Sequence, residues 1–135
     1  MNLRGYIFSR PFMGERVPQH IQNIVLRNYC SSNSHKFYLS ASEYTMESSF
    51  YILNQTINEL SDLDGILAYS VFQMPENYNM RNKVFKKMIS QNKHFFFAVE
   101  GLSISNKSDI DNVHELWEIK KQLPSSLNDF SSIKK

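Results

Sequence analysis

One cysteine in 135 residues excludes an internal disulfide framework and a cysteine-built zinc site. Glycine and proline are scarce at four each, and neither GxGxxG nor GxxxxGK[ST] occurs, so the standard dinucleotide and P-loop cradles are missing. No apolar run approaches the ~20 residues of a membrane span. The first ten residues carry no signal-peptide apolar core, so no membrane partner and a cytoplasmic location are expected. Neither sign of charge is in excess: 15 Lys+Arg against 13 Asp+Glu leave +2, too balanced to expect nucleic acid as a partner. His20, His35, His94 and His114 show no metal-ligand spacing, and no metal or other cofactor is expected.

Hydrophobic residues make up 41% and aromatics 13%, enough for one real core. A single domain is expected over 1–122, followed by a polar C-terminal tail over 123–135 that reads as frayed. The near-neutral total also hides a division along the chain. Residues 1–36 hold four arginines and a lysine against Glu15 alone, residues 37–80 are acidic without any Lys or Arg, and residues 81–100 are basic again. Arginine near the amino terminus offers planar forks for phosphate or carboxylate, whereas the later lysines mostly supply solubility.

Short apolar runs at Leu3–Phe8, Phe37–Leu39, Ile66–Phe72 and Phe95–Val99 read as strands. Helical patterns lie between them. Pro18 opens one with Ile21, Ile24, Val25 and Tyr29 as its apolar face, while Gln19, Asn23 and Arg27 share another. Ser40-Ala41-Ser42-Glu43 has the form of a capping box ahead of a stripe at Met46, Phe50, Leu53, Ile57 and Leu60. Val84, Phe85, Met88 and Ile89 mark a third helix, and Ile110, Val113, Leu116 and Trp117 a fourth. This alternation predicts a single three-layer α/β domain, a mostly parallel four-stranded sheet with helices on both faces.

In such sheets ligands sit at the carboxyl ends of the strands, which nominates Ser9, Arg10, Ser40, Tyr69, Ser70 and Glu100. The loop Arg10–Arg16 runs straight into the Pro18 helix, whose free amides favour an anion, so Arg10 and Arg16 are expected to bind one. Ser9 has the chemistry of a nucleophile and Glu100 that of a general base, set against the plainer readings of a turn serine and an exposed acid. Cys30 is read as packing rather than reactive. The Phe95-Phe96-Phe97 run is read as a strand buried on both faces.

Two family resemblances meet at these residues. The block from Arg4-Gly5-Tyr6-Ile7-Phe8-Ser9-Arg10 through Pro18-Gln19-His20-Ile21-Gln22-Asn23, with Asp64-Gly65-Ile66, Met74-Pro75 and Ala98-Val99-Glu100-Gly101-Leu102, resembles the sporadic carbohydrate cluster proteins. These are small bacterial proteins associated with surface-polysaccharide biosynthesis, and the resemblance implies a role there without supplying a reaction. More distantly the layout is similar to the serine recombinase catalytic domain, matching Gly5-Tyr6, Gln19 or Gln22, and Glu100-Gly101. Phe8 stands where that family has an arginine, Arg10 where it has the serine, and Val71-Phe72-Gln73-Met74 where it has an Asp-Arg pair. The second resemblance implies a flavodoxin- or resolvase-like fold.

The leading functional expectation is a small enzyme of surface-polysaccharide biosynthesis acting on a phosphorylated, nucleotide-linked or acidic sugar. Arg10 and Arg16 would bind the anion, Ser9 and Glu100 supply the chemistry, and Gln19, Asn23 and Ser70 contact the ligand. The alternative is a non-catalytic ligand-binding or assembly protein of the same pathway. A third reading is a degenerate recombinase-like protein that contacts DNA. The expected partners are an anionic sugar or sugar-nucleotide and a second copy of the chain in a homo-oligomer.

Overall fold

The computed structural model describes residues 1–134 apart from Thr45, Glu47 and Ser48, with side chains as far as Gln122. Strands and helices alternate as β1 (Asn2–Ile7), α1 (Gln19–Ser32), β2 (Lys36–Ser42), α2 (Tyr51–Asn58) and β3 (Gly65–Ala68). A 3-10 turn (Val71–Gln73) then leads to α3 (Tyr78–Ser90), β4 (His94–Phe97), β5 (Leu102–Ile104) and α4 (Lys107–Lys134). The sheet order is β2-β1-β3-β4-β5, with parallel pairing from β2 to β4 and an antiparallel β4–β5 pair. Four strands were expected and five are present. Gly101, at φ 65, lets the chain reverse directly after Glu100. The three-residue edge strand that follows is too short to show a period.

The layers are unequal. α2, α3 and α4 pack on the face carrying Tyr6, Phe8, Ile66, Ala68, Phe95 and Phe97, and Trp117 closes this larger core. α1 covers the other face, where Leu26 and Cys30 meet Leu3, Ile7 and Leu67. At about 1.5–3 kcal/mol for each fully buried Leu or Phe, these two clusters supply the main driving force for folding. Gly5 is required where β1 passes β2, because a Cβ there would collide with the Ser40 side chain.

The inward face of α1 differs from the expected one. Ile21 and Ile24 are 39% and 52% exposed, and the buried residues are Gln22, Leu26 and Cys30 at steps of four. A glutamine wins an inward position because its amide finds a full set of partners, described below. α2 also begins later than the Ser40–Glu43 pattern predicts: β2 runs to Ser42, and Met46 lies outside the helix and is exposed. The backbone of α4 extends to Lys134 through the segment expected as a tail. No helix among the described residues is long and apolar enough to cross a membrane.

Candidate functional site

The chain leaves β1 for β2 on one side and returns to β3 on the other, so the strand order reverses between β1 and β3. A crevice opens at the carboxyl ends of strands at such a reversal. Phe8, Ser9 and Arg10 follow β1 there, Tyr69 and Ser70 follow β3, and Glu100 follows β4.

A polar chain ties these ends together. Ser70 Oγ donates to one Glu100 carboxylate oxygen at 2.8 Å, and the Val71 N–H donates to the other at 2.8 Å. Ser70 Oγ also accepts from the Phe72 N–H at 3.1 Å, so it caps the 3-10 turn. Gln73 closes that turn by accepting the Tyr69 and Ser70 N–H groups. Its Nε2 donates to Gln22 Oε1 at 2.8 Å, and Gln22 Nε2 donates to the Phe8 and Val17 carbonyls at 2.7 and 2.8 Å. The two carbonyls require the Gln22 NH2 on their side. That choice fixes Gln73 as donor to Gln22 and its oxygen as acceptor of the two turn amides. Gln22 and Gln73 are both buried, so this chain locks α1, the loop after β1, the 3-10 turn and the end of β4 into one frame.

Arg10 lies on the other flank of the crevice. Its Nη1 donates to the Tyr44 and Met46 carbonyls, each at 3.1 Å, and its guanidinium carbon sits 4.4 Å from the Phe8 ring centroid and 4.8 Å from that of Phe50. Cation–π contact on two rings holds the fork in place. Arg10 Nη2 is buried and has no hydrogen-bond partner among the described residues. This guanidinium helps line a cleft of about 180 Å³, walled by Phe8, Phe12, Phe50, Phe72 and Trp117, with Gln73 and Glu76 as further polar groups. Behind the Glu76 wall, buried Arg81 donates to the Pro75 and Glu76 carbonyls and to His114 Nδ1, and stacks 4.8 Å from Trp117.

A second buried carboxylate supports the Arg10 flank. Glu43 accepts from the Tyr6 hydroxyl at 2.9 Å and from the Ile52 and Leu53 N–H groups at 2.8 and 2.9 Å. It therefore caps α2 from nine residues upstream. Burial, reinforced by the Glu43 charge, pushes the Tyr6 hydroxyl far above its ordinary pKa, so Tyr6 stays a neutral donor.

The expected site residues are placed as follows. Ser70 and Glu100 come together, and Arg10 lines the cleft. Ser9 is half-buried in the bend after β1. Arg16 is exposed and does not line the cleft: the chain turns back at Met13 and Gly14, with φ 50 and 77, inside a Phe12–Glu15 bridge. Gln19 is half-buried, and Asn23 accepts from Ser40 Oγ at 2.6 Å, so it braces α1 against β2. The glutamine that reaches the crevice is Gln22. Its signal in the sequence was a polar residue in register with Leu26 and Cys30. Phe50, Gln73 and Trp117 were read only as packing or loop residues. Among the described residues no group of three or more His, Cys, Asp or Glu side chains could hold a metal ion.

No protein-family model matches the sequence, and no curated protein does. Several solved structures share its fold, two recombinase domains among them. The N-terminal catalytic domain of TP901-1 integrase superposes with a TM-score of 0.60 over 98% of both chains at 14% identity. A resolvase family site-specific recombinase from Streptococcus pneumoniae gives a TM-score of 0.61 over 98% of this chain and 97% of its own, at 12% identity. The chain has a resolvase-like α/β fold. At these identities the likeness is one of fold, and function has to be argued from the site.

Proposed function

We propose that this protein serves surface-polysaccharide biosynthesis by binding an anionic sugar, a sugar phosphate or sugar-nucleotide, in the cleft beside Arg10. The observation that carries the reading is an arginine fork held against two aromatic rings at the edge of an aromatic-walled cleft. Aromatic walls suit the apolar faces of a sugar ring, and a charge-assisted bond from the Arg10 guanidinium suits a phosphate or carboxylate oxygen. The pathway part of the proposal rests on the resemblance of the block that contains Arg10 to the sporadic carbohydrate cluster proteins.

Binding without turnover is the reading this arrangement favours. Both oxygens of Glu100 already accept hydrogen bonds from Ser70 and Val71, which gives Glu100 the work of holding the 3-10 turn. Calorimetric titration with glucose 1-phosphate, UDP-glucose, glucuronate and a duplex DNA tests the proposal. Saturable binding of a phosphorylated or acidic sugar, without product on prolonged incubation, supports it. Turnover of the sugar restores the enzyme reading, and salt-sensitive binding of DNA alone replaces both with a recombinase-like DNA contact.

We also propose a homo-oligomer. The outer face of α1 exposes Ile21 and Ile24 beside half-buried Val25, an apolar strip that a second copy can cover. Light scattering showing a dimer that Ile24→Lys dissociates supports this, and a monomer at high micromolar concentration rejects it.

A further inference from the structure

The Arg10 cleft does not end at Phe50. The same ring also lines a larger groove of about 430 Å³ between α2 and α3, whose walls include Asn54, Pro75, Met80, Lys83 and Lys87. Pro75 lies between Met74 and Glu76, both of which line the cleft, so the two spaces share one wall as well as one ring. Met80, Lys83 and Lys87 fall at steps of three and four on one face of α3, and all three line the same groove. No acidic residue lines it among the described residues. Arg10 and the two lysines thus stand on opposite sides of the Phe50 ring, in neighbouring spaces rather than at a single point.

We propose that the α2–α3 groove is a diphosphate subsite, with Lys83 and Lys87 holding the diphosphate of a pyrophosphate-linked sugar whose sugar lies in the Arg10 cleft. The inference rests on the binding role given to Arg10 and narrows its ligand class from sugar phosphates in general to diphosphate-linked ones. Lysine suits this task because a mobile point charge can follow a flexible diphosphate, whereas the fixed fork of Arg10 suits a single oriented oxyanion. The apolar remainder of the groove accepts either a nucleobase or the first isoprene units of a lipid carrier. The shared chemistry is the diphosphate.

The test compares the wild-type chain with Lys83→Ala/Lys87→Ala and with Arg10→Lys by calorimetry. The probes are inorganic pyrophosphate, UDP-glucose, farnesyl diphosphate and glucose 1-phosphate. The double lysine variant is expected to lose about tenfold or more in affinity for the diphosphate probes. It should keep its affinity for glucose 1-phosphate, while Arg10→Lys weakens glucose 1-phosphate and UDP-glucose and leaves inorganic pyrophosphate and farnesyl diphosphate unchanged. Tighter binding of UDP-glucose than of farnesyl diphosphate identifies a nucleotide carrier, and the opposite order a lipid carrier. Unchanged diphosphate affinity in the double variant overturns the groove assignment and leaves the Arg10 reading standing. Lysine-dependent pyrophosphate binding in a protein that ignores glucose 1-phosphate overturns the Arg10 reading and keeps the groove. Because Lys83 is exposed and Lys87 half-buried, the double variant should fold, which its melting temperature checks.

Discussion

Replacing Glu43 tests whether a single buried carboxylate organises the Arg10 flank. In Glu43→Ala the Tyr6 hydroxyl and the Ile52 and Leu53 amides lose their acceptor together, and the Tyr44 N–H, 3.3 Å away, loses a weaker one. Unpaired buried donors cost about 1–3 kcal/mol each. Allowing for the two helix amides to recover water, a loss of about 4 kcal/mol is expected, a large part of the ~5–15 kcal/mol that a domain holds. At this chain length that is a fall of about 12–20 °C in melting temperature. Glu43→Gln should cost less, about 2 kcal/mol. The Tyr6 hydroxyl can turn to accept from the new NH2, but in either amide orientation one of Ile52 N–H and Leu53 N–H faces a donor. Urea unfolding of both variants, with Tyr6→Phe to complete a double-mutant cycle, measures these terms. A Glu43→Ala variant within about 1 kcal/mol of wild type would refute the reasoning, since it would mean the three donors had other acceptors.

Further expectations concern the two flanks of the core. Burial, with the nearby Arg81 charge second, lowers the His114 pKa, and its Nδ1 accepts from Arg81 Nε. The unfolded chain therefore takes up a proton near the ordinary 6.5 while the folded one does not, so stability should fall as the pH drops from about 7.5 through that window. In His114→Gln the slope should flatten, leaving the smaller share due to His35, whose pKa burial also lowers. Cys30 is 2% exposed and burial raises its thiol pKa, so a disulfide reagent should label it only in the urea-unfolded chain. Rapid labelling of the native protein would contradict its packing between α1 and the sheet. Gln22→Ala leaves the Phe8 and Val17 carbonyls and the Gln73 NH2 without partners, and about 2–4 kcal/mol should be lost in urea unfolding.

Much of the fold was legible because strands and helices differ in period. The short apolar runs Leu3–Phe8, Ile66–Phe72 and Phe95–Val99 locate β1, β3 and β4, although β3 ends at Ala68 and Val71–Gln73 forms a 3-10 turn instead of continuing the strand. The meeting of Ser70 and Glu100 followed from topology, since they come just after neighbouring strands and bond at 2.8 Å. What failed was what depends on distant partners. The inward face of α1 was misassigned because apolarity favoured Ile21 and Ile24, and nothing local announces that Gln22 will meet the Phe8 carbonyl and Gln73. Glu43 looked like half of a capping box with Ser40, whereas it caps a helix that starts at Tyr51. Arg16 was paired with Arg10 by spacing along the loop. The turn at Met13–Gly14, formed by two positive φ values in succession, was not visible in the residue types.

The Arg10 fork carries the functional account, and one paired measurement tests it: glucose 1-phosphate affinity and melting temperature on the wild type and on Arg10→Lys. Lysine keeps the charge near Phe8 and Phe50 but cannot donate to the Tyr44 and Met46 carbonyls and present a second planar N–H together. Affinity should fall by about 1–3 kcal/mol, the scale of a charge-assisted hydrogen bond. Arg10 also bonds two carbonyls of the β2–α2 connection, so the melting temperature should drop modestly while the fold is retained. A variant that loses stability yet binds the sugar phosphate as tightly as wild type would contradict the account, for Arg10 would then serve only to tie down that connection.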